Sequence, residues 1–170
     1  VPMKDLDFAS IDRVVNVNLY GTINVVKAFL PYLLDRPVAH LANVSSMGGF
    51  LPVPGQTIYG ATKAAVKLMT EGLYAELLDT HVGVTVIMPG ATEITANSGV
   101  EVPTAAAEQA GSFPTTSPED AAKIIIDGIE KDRLHVYVGK DSVLMGVLNR
   151  AAPKQATHLI QRKMKRLLGR

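Results

Sequence analysis

Two long stretches of the chain place hydrophobic residues three and four positions apart, the spacing of one helix face. The first covers residues 7–30 and stops at Pro31, and the second covers residues 58–78. A side-chain period of 3.6 with proline just beyond the last apolar position is typical of an amphipathic helix. We therefore expect helices over 7–30 and 58–78.

Three short apolar runs alternate with these helices. They cover residues 39–44, 82–88 and 135–138, and glycine or proline follows the second and third of them. Short runs bounded in this way predict strands buried on both faces. The alternation of helix and strand favours an α/β fold with a parallel sheet flanked by helices.

The remainder of the chain divides into loops and further helices. Residues 45–56 and 91–116 are rich in glycine, proline and small residues, which predicts loops. Ser117 and Pro118, followed by two acids, mark the start of a helix that should end near Lys131. After the third strand we expect helix again, with a break near Pro153.

Composition indicates one folded region without strong charge. The chain has 170 residues, 47% of them hydrophobic, a net charge of +1 and no cysteine. The charge argues against nucleic acid as a partner, and the missing cysteine excludes disulfides and thiolate sites. The absence of cysteine fits a cytoplasmic protein, which we expect, and no apolar run reaches the length of a membrane span. The start at Val1-Pro2 predicts a fragment or a processed piece.

The last residues form a separate case, so we divide the chain into 1–152 and 153–170. The second region contains six Lys and Arg residues, no acid and an apolar stripe. Such a basic amphipathic helix can lie on an anionic membrane surface or pack on the protein. We favour packing. The four histidines show no ligand spacing, so we expect no metal site.

Tyr59 and Lys63 carry the clearest chemistry. Four positions apart on an expected helix, they share one face. A tyrosine hydroxyl ordinarily titrates at about pH 10, and a nearby ammonium favours the phenolate. Tyr59 could then exchange a proton with an alcohol or carbonyl oxygen. Ser46 follows the first strand, at the sheet edge where parallel α/β folds bind ligands, and could hydrogen-bond the same oxygen.

Each of these features has an ordinary explanation when it stands alone. A Tyr-x-x-x-Lys match often arises by chance on a solvated helix, and Ser46 could be a turn residue. Asn18 could be a helical residue bonded to nearby backbone. Pro89-Gly90 could be a simple turn, although its glycine would let a flat ligand approach the backbone. Their shared order and spacing favour a functional explanation.

The order Asn18, Ser46, Tyr59, Lys63 resembles the catalytic tetrad of the short-chain dehydrogenase/reductase family. The short sequence segments around these residues also match the family's motifs: Val-Asn-Leu-Tyr-Gly, Asn-Val-Ser-Ser, Tyr-Gly-Ala-Thr-Lys and Pro-Gly. The resemblance implies a Rossmann-type sheet and reversible hydride transfer between NAD(P)H and a carbonyl/alcohol substrate. Helices 7–30 and 58–78 resemble those that pair in the family's homo-oligomers, often dimers.

The resemblance also implies roles for the residues. Tyr59 would be the general acid/base, and Ser46 would orient the substrate carbonyl. Lys63 would favour the phenolate and hold the nicotinamide ribose, and Asn18 would position a proton-relaying water. Tyr59 itself, with Pro89, Gly90 and Thr92, completes the expected cofactor contacts. The loop 91–116 would close over a substrate that its composition suggests is apolar.

The chain departs from the family pattern in the residues that would bind the phosphates of the cofactor. No Gly-x-x-x-Gly-x-Gly run is present, and neither is the region that selects NAD or NADP. The sheet would therefore be incomplete, with strands corresponding to the family's fifth to seventh. We expect this piece alone to be inactive, and weakly stable or self-associating. The alternative is a non-catalytic remnant that acts through helix association or through membrane or partner docking.

Overall fold

The computed structural model describes residues 1–91 and 115–167 of the chain. The helices are α1 (Phe8–Val15), α2 (Gly21–Leu34), α3 (Thr57–Glu76), α4 (Pro118–Glu130), α5 (Lys140–Ala151) and α6 (Pro153–Leu167). The strands are β1 (Ala39–Val44), β2 (Val82–Pro89) and β3 (His135–Val138). The segment Asn16–Tyr20 is π-helical, and Met3–Asp5 and Met47–Gly49 are short 3-10 turns.

The three strands form one parallel sheet in the order β1-β2-β3, which confirms the predicted α/β architecture. Ala39 lies opposite Val82, and Val86 lies opposite His135. Parallel pairing places the carboxyl ends of all three strands at one edge of the sheet. Ser46 and Gly90 follow two of those ends, as the sequence predicts.

Helices cover both faces of β2. Leu41 and Val84 pack with α2 and α3, and Ile87 and Val136 pack with Ala121 of α4. Side chains alternate between the two faces along a strand, and Val84 and Ile87 are three residues apart on β2. The two clusters therefore lie on opposite faces of the sheet. Complete burial of side chains of this size contributes roughly 1.5–3 kcal/mol each to folding.

The expected burial on both faces holds for β2 but is wrong for β1. Ala42 and Val44 of β1 are exposed, and Val44 keeps 51% of its accessible surface. These two residues lie on the α4 face of the sheet, and no described element covers that face over β1. Within the described residues, β1 also pairs on one side only.

The first expected helix is wrong in two respects. The π-helical turn at Asn16–Tyr20 interrupts it, and it continues through Pro31 to Leu34. Pro31 is exposed and lacks one backbone donor, whereas Leu33 beyond it packs on the Leu41 cluster. Burial of Leu33 thus offsets the lost hydrogen bond.

The later helices begin and end close to the predicted residues. The Ser117 hydroxyl caps α4 by accepting a hydrogen bond from the Asp120 amide at 3.1 Å. Ala152 separates α5 from α6, which begins at Pro153. In α6, Ala156 and Ile160 are buried in one cluster with Leu51 and Met145. Among the described residues, no helix is long and apolar enough to cross a membrane.

Candidate active site

Two glycines let the turn after β1 approach α3 closely. A Cβ on Gly49 would lie 2.6 Å from Ser45 Oγ and 2.9 Å from the Lys63 carbonyl oxygen. A Cβ on Gly60 would lie 2.9 Å from the Gly48 carbonyl oxygen. Real Cβ atoms do not tolerate backbone contacts this short. Glycine at both positions therefore fixes the distance between the turn and the helix.

This close packing brings Ser46 and Tyr59 to the same point. The position that a Gly48 Cβ would occupy lies 3.4 Å from Tyr59 Cε1 and 3.6 Å from Ser46 Oγ. Ser46 Oγ accepts a hydrogen bond from the Gly48 amide at 3.1 Å. Among the described residues no acceptor is recorded for the Ser46 hydroxyl proton. That proton is therefore available to a ligand oxygen.

Lys63 lies one turn beyond Tyr59, on the same face of α3. Its Nζ is 5.8 Å from the centroid of the Tyr59 ring and donates a hydrogen bond to the Val44 carbonyl oxygen at 3.1 Å. Burial lowers the pKa of the Lys63 ammonium below its ordinary value. The Lys63 amino group is thus held beside the tyrosine at the carboxyl end of β1, where burial disfavours its charged form.

Asn18 lies in the π-helical turn and is tied to the same part of α3. Its amide nitrogen donates to Thr62 Oγ1 at 3.2 Å, and Thr62 Oγ1 donates to the Tyr59 carbonyl oxygen at 2.7 Å. The backbone carbonyl of Asn18 accepts a hydrogen bond from Thr22 Oγ1 at 2.8 Å. Single π turns are frequent at functional sites. The four residues singled out from the sequence thus meet around the first turns of α3.

Pro89 and Gly90 end β2 at the same edge of the sheet, and the Gly90 amide donates to the Val138 carbonyl at 2.9 Å. A Cβ on Gly90 would overlap both carboxylate oxygens of Asp141. Glycine at this position therefore makes room for the Asp141 side chain. Thr92 lies outside the described residues.

Sequence reasoning missed Thr62 and Asp141. Thr62 sits within the Tyr-x-x-x-Lys motif, but its bond to Asn18 joins residues 44 positions apart, so helical spacing does not predict it. Asp141 lies 50 residues from its backbone partner, Ala91, and no local pattern marks it.

The described part of the chain contains open cavities. One, of about 360 Å³, borders the turn after β1 and is lined by Gly48, Phe50, Leu51, Val53 and Gly60, among others. Another, of about 1040 Å³, lies between α4 and α5. Neither cavity is lined by the four candidate catalytic residues themselves. The smaller, mainly apolar cavity borders Gly48, on which Ser46 and Tyr59 converge, and therefore lies next to the candidate site.

The chain matches known proteins over most of its length. Residues 1–105 match the model of the short chain dehydrogenase family, adh_short. The oxidoreductase named SadH of Mycobacterium tuberculosis is 36% identical over 152 residues, which are 85% of this chain and 55% of that protein. An oxidoreductase of Staphylococcus aureus MRSA252 is 36% identical over 132 residues, 78% of this chain and 53% of that protein. The chain thus spans about half the length of these curated relatives.

Solved structures share the fold. A short chain dehydrogenase from Burkholderia cenocepacia, in complex with NADP, has 28% identity and a TM-score of 0.74, covering 93% of this chain and 64% of that one. A short chain dehydrogenase/reductase from Burkholderia phymatum, in complex with NAD, has 21% identity and a TM-score of 0.76, covering 91% and 62%. With more than half of its length matched by the family model, this chain belongs to the short-chain dehydrogenase/reductase family.

Proposed function

We propose that this chain is the catalytic part of an NAD(P)-dependent oxidoreductase that interconverts a carbonyl compound and its alcohol. One observation carries the proposal: the Ser46 hydroxyl and the Tyr59 ring converge on Gly48, with the Lys63 ammonium one helical turn away. A proton donor, a second hydroxyl and a fixed positive charge are the groups that a polarised carbonyl oxygen requires.

In the reducing direction, Tyr59 gives its hydroxyl proton to the carbonyl oxygen while Ser46 donates a hydrogen bond to that oxygen. The nicotinamide, when bound, supplies the hydride that reaches the carbonyl carbon. In the oxidising direction Tyr59 takes the proton back from the alcohol. The Lys63 ammonium stabilises the phenolate that remains after proton transfer.

Lys63 and Asn18 complete the proposed proton path. Lys63 already donates to the Val44 carbonyl, and its remaining N–H groups suit the ribose hydroxyls of the cofactor. Asn18 is fixed to α3 through its hydrogen bond to Thr62, close to Tyr59. From this position Asn18 can bind a water molecule that relays protons. We propose that a proton passes from this water through Lys63 to Tyr59 and restores the tyrosine hydroxyl after each reduction.

The chain fits only one end of the cofactor. Hydroxyl and ammonium donors are present for the nicotinamide ribose, but the sequence has no glycine-rich turn for the pyrophosphate. We therefore propose that the 170-residue chain contacts the nicotinamide end of NAD or NADP, without preference between them, and is inactive in turnover by itself.

We propose an apolar carbonyl or alcohol as substrate. The cavity of about 360 Å³ beside Gly48 is lined largely by apolar residues, including Leu51 and Val53. Apolar walls with few polar groups at one end favour ligands of that character.

Replacing the tyrosine in a complete enzyme tests the catalytic role. The part of the Mycobacterium tuberculosis relative that this chain does not match would be fused to the chain, and ketone reduction followed with NADH and NADPH. We expect Tyr59→Phe to lower kcat by roughly 100-fold or more, the usual contribution of a general acid, and to leave cofactor affinity unchanged. Tyr74→Phe, an exposed tyrosine on the same helix, is the matched control.

A fusion whose Tyr59→Phe variant keeps the wild-type kcat would contradict this role. A folded fusion with no turnover would favour association as the function instead. One feature supports association: the outward side of α2 and α3 exposes large apolar residues, with Val25 and Phe29 each 59% and Leu68 71% exposed. We propose that these helices also form a homo-oligomer contact.

A further inference from the structure

Two consecutive residues at the start of α5 hold the end of β2. The buried Ser142 hydroxyl donates to the Met88 carbonyl oxygen at 2.7 Å. Asp141 Oδ2 accepts from the Ala91 amide at 2.8 Å. The serine therefore fixes the strand, whereas the aspartate fixes the main chain just beyond it.

Two glycines make room for the Asp141 carboxylate. The absent Cβ of Gly90 leaves space that both carboxylate oxygens occupy. Gly139 has a φ of +94°, and a Cβ there would lie 2.5 Å from Asp141 Oδ1. A side chain at either position would collide with the carboxylate, so glycine at both positions lets it lie directly against the backbone of Gly90.

The main chain at Gly90 and Ala91 is fixed from three sides. The Gly90 amide bonds to the Val138 carbonyl, the Ala91 amide bonds to Asp141, and the Ala91 carbonyl accepts from the Thr116 amide at 3.0 Å. Of these three contacts, only the one from Asp141 is made by a side chain. It is therefore the contact that a substitution can remove.

The second carboxylate oxygen shows that packing alone does not explain this residue. Asp141 Oδ1 is buried and has no hydrogen-bond partner among the described residues. A buried, half-satisfied carboxylate costs free energy relative to a small apolar side chain. The hydrogen bond from the Ala91 amide, which holds the main chain just beyond β2, offsets part of this cost.

We propose that Asp141 is a positioning residue for the nicotinamide end of the cofactor. It fixes the Gly90–Ala91 main chain, against which the nicotinamide rests, and need not touch the cofactor itself. This inference rests on the proposed function, because it assigns a purpose to the end of β2 only if the cofactor lies beside it.

The test compares three variants of the 170-residue chain: Asp141→Ala, Asp141→Asn and Ser142→Ala. NADH is titrated while nicotinamide fluorescence is followed, and thermal unfolding is recorded in parallel. Asp141→Ala removes the acceptor for the Ala91 amide and should weaken NADH binding by roughly tenfold. Asp141→Asn keeps an oxygen acceptor of the same size and should restore the wild-type Kd.

Ser142→Ala separates positioning from stability. This variant loses the hydrogen bond from Ser142 to the Met88 carbonyl, at the same end of α5. It should therefore lower the unfolding midpoint but leave the Kd for NADH unchanged. Should Asp141→Ala not fold, Asp141→Ser takes its place, because a serine hydroxyl is too short to reach the Ala91 amide.

Two results would overturn the inference while leaving the proposed function intact. One is a wild-type Kd in Asp141→Ala, and the other is a loss of affinity in Ser142→Ala as large as in Asp141→Ala. A wild-type chain that binds no NADH would overturn the proposal that this chain holds the nicotinamide end of the cofactor, and this inference with it.

Discussion

At the scale of single residues, the candidate site depends as much on missing side chains as on present ones. Ser46 and Tyr59 approach each other because Gly49 and Gly60 allow the turn after β1 to lie on α3. The sequence supplied the reactive residues directly, since their order and spacing are visible in it. It did not reveal Asp141, whose contact with Ala91 exists only after the chain has folded.

Gly60 and Gly72 on α3 offer a matched pair of substitutions. A Cβ on Gly60 would lie 2.9 Å from the Gly48 carbonyl, whereas one on Gly72 would meet nothing within 4 Å. Gly60→Ala should lower the free energy of unfolding by about 1–3 kcal/mol, because the turn must move. Gly72→Ala should raise it by about 0.5–1 kcal/mol, because alanine favours the helix.

Urea unfolding of the two variants measures both effects. Equal changes in the two would show that the contact between the turn and α3 is looser than described, and that Gly60 has no special role in forming the site.

At the scale of elements, α3 both carries the catalytic pair and anchors the sheet. Glu71 Oε1 accepts from Lys67 Nζ at 2.6 Å and lies 2.7 Å from His135 Nε2 on β3. Burial pushes the pKa of Glu71 up, but hydrogen bonds and charge interactions with Lys67 and His135 outweigh burial and hold it below its ordinary value. This side of α3 is thereby tied to β3.

Glu71→Gln tests that tie through its pH dependence. Because the pKa of Glu71 is lowered in the folded protein, its ionised form contributes stability above the unfolded pKa of 4.5, and that stability is lost as the pH falls through the folded pKa. At pH 7 Glu71→Gln should lower the free energy of unfolding by about 1 kcal/mol, and the difference should shrink with acid.

Glu76→Gln, at the exposed end of the same helix, is the control and should have little effect at any pH. A Glu71→Gln effect that stays constant down to pH 3 would mean that the carboxylate charge does not hold α3 to β3.

Element boundaries follow from the sequence where one local rule acts alone. The strands at 39–44 and 135–138, and the Ser117 cap, were predictable because apolar runs and capping residues act locally. The π-helical turn and the continuation through Pro31 were not, because the packing of Leu33 and the link from Asn18 to Thr62 are tertiary contacts.

At the scale of the whole molecule, the outer edge of β1 is a surface that another chain could pair with. In the described part of the chain β1 pairs only with β2, and Ala42 and Val44 are exposed on one face. An unpaired strand edge with exposed apolar residues is a template for association with another chain. We therefore predict that the isolated 170-residue chain self-associates.

Ala42→Lys should reduce this association, because a charge on an edge strand opposes pairing with a second strand. Sedimentation velocity over a range of concentrations measures the effect. Ala151→Lys, which adds the same charge at the end of α5, is the control and should not change the association. A monodisperse, cooperatively melting wild-type monomer would count against the prediction.

The central claim is that this chain holds the nicotinamide end of the cofactor and no other part of it. The most direct measurement compares binding of NADH and of reduced nicotinamide mononucleotide, which lacks the adenosine half, by nicotinamide fluorescence. We predict saturable binding of both with Kd values within about threefold, since the adenosine half gains no contacts. Binding of both should be lost in Lys63→Ala and kept in Lys67→Ala, one turn further along α3. No saturable binding of either ligand, or binding indifferent to Lys63, would contradict the account.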